Sequence, residues 1–558
     1  MPISPAKWRI LAVYMTKEFS FTGKPFHSKT CAVSIGSSKT ISTGAQMTTV
    51  SQPSTDFMGH PKGLYICFAT EFWERFSFYG MKYLLLLYLT KYHLFTDSMG
   101  LDVLASYAAM VYAMPVVGGL LADRYLGMRK SVTFGGCLLV LGHLGMAYEG
   151  QQAFVQGETV VRDYAALDVF YLSLSLIIIG VGFLKPNIST IVGKLYEEND
   201  PRRDSGFTIF YMGINMGALF ATLLCGYLGE TYGWGYGFGA AGIGMAFGLL
   251  VFQAGQNYLQ GHAEPHDPAL LKQPSLIGVN KEWAIYLAAI ASVALIWNMV
   301  QHSHRVEWLL NGLSLAVISW LIFFVLKKCD AVERGRLIVM MVLIFSTVVF
   351  WALFEQSAAS MTLFADRVTD RALFGVDLSA SQYGSFNAAF IILLAPLFAS
   401  AWIVLGRRGW EPSTPVKFGL GIIFAGLGFG ALMIGAANTN ETGLVIGWWL
   451  VLAYLLHTMG ELCLSPVGLS AVTKLSVPRI VGLMMGTWFL ATAYSEFVAA
   501  QLSKIAAIDN AATETIDTAT ALASYNELFT FLFYIGCGVG VFMLLISPIL
   551  RKHMHGIH

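Results

Sequence analysis

Two glutamates, an arginine and a lysine stand within one short stretch, Glu71-Phe72-Trp73-Glu74-Arg75-Phe76-Ser77-Phe78-Tyr79-Gly80-Met81-Lys82. A carboxylate beside a guanidinium is ionised, and protonating it frees the cation to pair with something else. These residue types therefore suit proton exchange linked to the capture of another charged group. At about 100° per residue on a helix, Glu71, Glu74, Arg75, Phe78 and Lys82 share one face. The stretch lies inside an apolar run from Leu64 to Leu89, long enough to cross a bilayer. Each charge near the centre of a spanning helix costs about 2.5–3.5 kcal/mol, against about 0.3–0.6 returned by each Leu or Phe. The charged face must look onto water or onto opposite charges on other helices. A charged loop followed by a short span from Met81 would instead leave Leu64-Tyr65-Ile66-Cys67-Phe68-Ala69 in water.

Further polar residues interrupt later apolar runs. Lys185 precedes Pro186 in Gly182-Phe183-Leu184-Lys185-Pro186-Asn187, and Asn215 lies in Phe210-Tyr211-Met212-Gly213-Ile214-Asn215. Glu355 follows Trp351-Ala352-Leu353-Phe354, Asn387 follows Phe386, Glu461 follows Gly460, and Trp488 marks a run near the end. A structural ion-pair network would be confined to one helix pair. Ionisable residues spread over helices from both ends of the chain enclose a central cavity, and inside a membrane they mark ion or substrate paths.

The elements that must hold these groups follow from composition. The chain has 558 residues, 56% hydrophobic and 12% charged, where soluble domains carry roughly 25% charged residues. Repeated long apolar runs make it an all-α polytopic membrane protein, embedded in a lipid bilayer, rather than a closed barrel of short alternating strands. Net charge is +1, with no basic stripe, which argues against nucleic acid as a partner. The seven cysteines are scattered without a CxxC pair and read as small core residues. Residues 1–60, rich in Ser, Thr and Lys, read as a disordered extension. Spans are expected at about 64–89, 101–121, 131–149, 167–195, 206–229 and 236–256, then 283–300 and 306–326, then 336–363, 382–405, 416–437, 444–473, 481–504 and 526–550. About 14 spans divide the chain into an N-terminal six-helix bundle (61–256), a linker with an extra hairpin (257–330), and a C-terminal bundle with a short tail (331–558). Lys and Arg gather in alternate short loops (Arg124, Arg129, Lys130, Arg202, Arg203, Lys327, Lys328, Arg407, Arg408, Arg479), with Arg162, Arg367 and Arg371 as exceptions. The positive-inside rule then places both termini in the cytoplasm.

Six plus six spans around a long connection resemble the major facilitator superfamily. Gly119-Leu120-Leu121-Ala122-Asp123-Arg124-Tyr125-Leu126-Gly127-Met128-Arg129-Lys130 resembles its loop between the second and third helices, which implies a gating role for Asp123 and Arg124. More specifically, Glu71-x-x-Glu74-Arg75-Phe-x-Phe78-Tyr79-Gly80 resembles the first-helix signature of the proton-dependent oligopeptide transporter family. Phe210-Tyr211-x-x-Ile214-Asn215-x-Gly217, Leu184-Lys185-Pro186-Asn187, Phe354-Glu355-Gln356 and Gly460-Glu461-Leu462 are similar to that family's other motifs, and the extra hairpin resembles its prokaryotic members. The resemblance implies a bacterial inner-membrane symporter importing di- and tripeptides with protons, by alternating access; the alternatives are a proton-coupled transporter of nitrate, an amino acid or a peptide-mimetic drug in the same fold, or a non-transporting peptide sensor. It implies Glu71, Glu74 and Arg75 as the proton-coupling cluster, with Lys185 as a counter-charge and Glu355 as a second titrating site. Lys82 and Lys185 would hold the peptide carboxylate, Glu461 its amino group, and Asn215 and Asn387 its amides. Tyr79, Tyr112 and Trp488 would line side-chain pockets, and Lys82 with Glu355 would also gate.

Three departures from the family pattern stand out. Position 82 is Lys where relatives carry Arg, which removes the bidentate fork. Phe78 replaces a Tyr, and no His lies between Gly100 and Leu121, where Ala105 takes its place. Coupling then rests on carboxylates, with the proton as coupling ion and no cofactor. His553, His555 and His558 read as a loose tail rather than a metal site. No phosphate-cradling Gly-x-x-x-x-Gly-Lys-[Ser/Thr] and no serine elbow is present, so neither ATP use nor enzyme activity is expected.

Overall fold

The computed structural model describes residues 56–197, 199–275, 278–373, 375–509 and 517–557. Fourteen long helices carry the fold among them. The first six are α1 (Lys62–Leu87), α2 (Asp97–Leu121), α3 (Met128–Met146), α4 (Tyr164–Lys194), α5 (Arg203–Tyr232) and α6 (Trp234–Gly255). The hairpin is α7 (Lys281–Gln301) and α8 (Ser303–Lys328). The last six are α9 (Ala331–Phe354), α10 (Ser385–Arg407), α11 (Thr414–Ala437), α12 (Trp448–Leu475), α13 (Val481–Ser503) and α14 (Thr518–His553). Eleven of these helices, α9 taken with its extension to Arg367, are long and apolar enough to cross a membrane. The remaining three, α1, α3 and α13, carry charges within their length. The protein is an integral membrane protein.

Side chains start several of these helices at the expected places. Thr96, Asp163, Asn280 and Asp517 each accept a hydrogen bond from a first-turn amide of α2, α4, α7 and α14. Asp330 and Glu333 form a reciprocal cap on α9, which satisfies two otherwise orphaned donors. Short two-stranded ribbons decorate the ends. Phe154–Gln156 pairs antiparallel with Thr159–Val161, and Thr369–Asp370 runs parallel to Val445–Ile446.

Within the bilayer, apolar side chains gain little by leaving lipid for one another, so close backbone approach supplies much of the packing. A Cβ on Gly118 of α2 would stand 2.0 Å from the Gly182 carbonyl oxygen of α4. Pro186 has no N–H to offer that same carbonyl four residues earlier, so the proline frees the oxygen that lies on Gly118. Gly135 on Gly180 and Gly426 on Gly536 make comparable crossings of α3 with α4 and of α11 with α14.

Two expectations need correction. Residues 1–55 lie outside the described residues, but Asp56–Phe57 and His60–Pro61, assigned above to a disordered extension, form an antiparallel ribbon. Arg202 holds it, bonding Asp56 at 2.8 Å and the Gly59 carbonyl at 3.1 Å. The span expected without interruption over 336–363 breaks after Phe354 into a turn, Glu355–Ala358, and resumes as Ser360–Arg367. Gln356 makes the break possible: its amide donates to the carbonyls of Ala352 and Ala499, and its oxygen accepts from Ser360 and Ser503. Freed polar groups inside the membrane are thereby satisfied.

Candidate functional site

The helix α1 buries Glu71, Glu74 and Arg75 almost completely. Arg75 binds Glu74 through Nε and through Nη2 at 2.5 Å, and its Nε lies 3.4 Å from Glu71 Oε1. Glu71 Oε2 is buried without a partner among the described residues. A buried, unpaired carboxylate oxygen is a place for a proton or a donor from a ligand.

Lys82, two turns further along α1, reaches the other bundle. Its Nζ lies 2.8 Å from Glu355 Oε2 and 3.0 Å from Glu496 Oε1. Phe78 separates the two charged clusters, with its ring centroid 5.0 Å from the Arg75 guanidinium and 5.9 Å from Lys82 Nζ. The phenyl ring thus offers a cation-binding face to each. Tyr79 packs edge-on to Phe78 and stacks over Tyr83.

Lys185 lies within electrostatic reach of Glu71 and Glu74, as a counter-charge does, but makes no ion pair with either. Its Nζ lies 4.6 Å from the Tyr112 ring centroid, with no carboxylate at ion-pair distance among the described residues. On the opposite bundle, Asn387 Nδ2 donates to Glu461 Oε2 at 3.1 Å and to Thr458 at 3.0 Å. Asn215 donates to the Tyr211 carbonyl of its own helix at 3.0 Å. Trp488 is pressed over Gly468, where a Cβ would meet the indole at 2.3 Å. Tyr79, Tyr112, Lys185, Asn387 and Glu461 within helices, and Glu355 on the turn after α9, remain partly exposed.

Asp123 and Arg124 are exposed on the turn Ala122–Leu126 and make no ion pair among the described residues. The pairs of that loop are made by its neighbours. Arg129 binds Glu264 of the linker, with a second contact at 3.0 Å, and Lys130 binds Glu282 of α7 at 2.6 Å. Hydrogen bonding from Arg129 holds the Glu264 carboxyl below its ordinary range. His262 and His266 flank Glu264 at metal-motif spacing, yet no group that could hold a metal is found among the described residues.

At the membrane face away from the chain ends, the bundles are tied together. Arg367 makes a bidentate pair with Asp97 at 2.6 Å on both arms, and Lys504 binds Asp102 at 2.7 Å. Lys91 binds Asp366 at 2.7 Å, Ser98 binds Asp509 at 2.8 Å, and Glu230 accepts from Ser381 at 2.6 Å. Arg371 lies 3.8 Å from both Glu230 and Asp366. Arg367 and Arg371 break the loop charge pattern because each has carboxylate partners in place.

Sequence reasoning missed Glu496. It lies in a run marked only by Trp488, and a carboxylate in a spanning helix was the signal available.

Two six-helix bundles around a chamber of buried charges define a membrane carrier of the major facilitator fold. A model of the POT family matches residues 129–520, and the chain belongs to that family. The "Uncharacterized transporter YclF" of Bacillus subtilis is 39% identical over 519 residues, covering 91% of this chain and 98% of its own. A "Di-/tripeptide transporter" of Lactococcus lactis is 34% identical over 530 residues, covering 90% and 99%. A crystal structure of peptide transporter POT in complex with sulfate superposes with a TM-score of 0.73 at 35% identity, covering 90% of this chain and 98% of that one.

Proposed function

We propose that this protein is a proton-coupled symporter that takes up di- and tripeptides by alternating access. The observation that carries the reading is a pair of opposed charges on the two bundles. Lys185 has no carboxylate at ion-pair distance among the described residues, and Glu461 is a carboxylate steadied by one amide. A peptide zwitterion matches both, its carboxylate toward Lys185 and its ammonium toward Glu461, with Asn215 and Asn387 available to its backbone. Breadth follows because termini and backbone are common to all short peptides, while Tyr79, Tyr112 and Trp488 offer roomy walls to whatever side chains arrive. The relatives' names, "Di-/tripeptide transporter" among them, support the same substrate class.

Coupling rests on Glu71, Glu74 and Arg75. With both carboxylates ionised they hold Arg75; a proton on one loosens that hold and leaves the cluster ready for a change in partners. One proton moving through about 150 mV releases about 3.5 kcal/mol, and a tenfold gradient of neutral solute costs about 1.4 kcal/mol. One proton could therefore sustain several hundredfold accumulation. The face bearing the chain ends would be cytoplasmic, in a bacterial inner membrane, and the tied face external.

The test is uptake of a labelled dipeptide into proteoliposomes under an inward proton gradient. Native protein should accumulate peptide, and Glu74→Gln should only equilibrate it. Native uptake indifferent to the gradient would refute coupling, and absence of peptide uptake would refute the substrate class.

A further inference from the structure

Lys82 faces two carboxylates. Glu355 of the α9 break and Glu496 of α13 both lie within 3.0 Å of its single ammonium, and the three side chains are 4%, 10% and 5% exposed. One positive charge cannot neutralise two negative ones, and an uncompensated charge inside a spanning bundle is costly. Among the described residues no other cation lies at ion-pair distance from either acid. Arg75 is engaged by Glu74 and Glu71, and Lys185 lies against Tyr112 rather than at ion-pair distance from either carboxylate. The remaining groups that face the cluster are acidic or phenolic. From α1 they are Tyr79 and Tyr83, from α2 Tyr107 and Tyr112, and from α12 Glu461, which senses Glu355.

We propose that Glu355 and Glu496 share one proton while Lys82 lies between them, so that Glu496 sets the protonation at which the expected Lys82–Glu355 gate tightens. Two carboxylates within reach of one another ionise in sequence, and the proton they retain belongs to the pair. With that proton in place the cluster is neutral. When it leaves, two full negative charges grip Lys82 and the gate tightens. Lys82 belongs to the N-terminal bundle and both acids to the C-terminal bundle, so tightening opposes separation of the halves. Opening withdraws the cation from the acids and so favours uptake of a proton by them. The proton exchanged comes from and returns to water, and no other co-reactant is required. Glu496 is a positioning residue in this scheme: it acts on transport through Lys82 and Glu355. The inference adds Glu496 to the titrating gate expected of Lys82 and Glu355, and rests on the proposed symport only for its second measurement.

The first measurement needs no transport. Native protein in lipid, labelled with carbon-13 at glutamate carboxyls, is titrated by difference infrared spectroscopy. At neutral pH the protonated-carboxyl band should lose one group's intensity in Glu496→Gln and equally in Glu355→Gln, since either change leaves one acid facing one ammonium. A band retained in either variant overturns the shared proton, and should Glu496→Gln fail to fold, Glu355→Gln alone decides. The second measurement is the pH profile of dipeptide uptake. Native uptake should fall on the alkaline side as the gate tightens, and Glu496→Gln should flatten that limb. An unaltered limb overturns this role of Glu496. If native protein moves no peptide, the substrate reading fails and the infrared result still decides the shared proton.

Discussion

Phe78 shows how one side chain organises this chamber. Its ring lies between Arg75 and Lys82, so two cations on one helix face are kept apart by a surface attractive to both. A phenol there could hydrogen-bond a ligand; the phenyl leaves ligand capture to residues beyond it, and Lys185 has no carboxylate at ion-pair distance among the described residues. Lys185→Gln should therefore raise the dipeptide Kd about 10- to 100-fold, the worth of one charge-assisted hydrogen bond, read by calorimetry or by binding-induced thermal shift. An unchanged Kd would transfer carboxylate capture to another group. Much of this residue chemistry was legible in sequence, because a charge inside an apolar run has few explanations. The Lys82–Glu355 contact was expected and is present at 2.8 Å. Two things were not legible. Lys185, expected as a counter-charge to Glu71 and Glu74, has both within electrostatic reach, but its ammonium touches the Tyr112 ring, since spacing cannot say which of several groups a long side chain will meet. Glu496 went unnoticed because its importance comes from a partner 414 residues away, which no local pattern reports.

At the scale of elements, most spans were readable to within a few residues, but the last helix starts at Thr518 rather than near 526, and the interruptions were not readable. The break after Phe354 depends on Gln356 receiving Ser503 from α13, a tertiary contact that a run of apolar residues conceals. The crossing of α2 over α4 is set by Gly118 and the Gly182 carbonyl freed by Pro186. Gly118→Ala should lower stability by about 1–3 kcal/mol through overpacking, visible as a reduced Tm in detergent, and Gly118→Leu should prevent folding. A Tm unchanged in Gly118→Ala would mean that the helices separate at no cost. The linker is equally specific. The Arg129 amide donates to the Ala263 carbonyl at 2.9 Å, and its side chain binds Glu264. Because Arg129 depresses the Glu264 carboxyl, this tie is present above the ordinary carboxylate range and is lost as pH falls through the depressed value. Hydrogen exchange over 257–272, corrected for intrinsic rate, should rise in acid and in Glu264→Gln at neutral pH. Equal protection in variant and native protein would show the linker held by other contacts.

For the whole molecule, the ties at the face remote from the chain ends must open and re-form in each cycle if access alternates. Ser98 meets Asp509 there at 2.8 Å, beside the buried Asp97–Arg367 pair. Cysteines introduced as Ser98→Cys and Asp509→Cys should cross-link on oxidation, abolish uptake, and restore it on reduction. Uptake persisting in the cross-linked protein would show that this face does not open during transport. The two-bundle plan was legible because it repeats in hydropathy and loop charge. The state of closure was not, since it is decided by side chains meeting from opposite ends of the chain. That separation bears on how the protein is made. Lys82 is synthesised 273 residues before Glu355 and 414 before Glu496. At about 5–20 residues per second, its ammonium enters the membrane tens of seconds ahead of the acids that will neutralise it. The nascent first helix must spend that interval at the lipid boundary or in the care of the insertion machinery, and biogenesis should be most sensitive to translation speed before the ninth helix emerges.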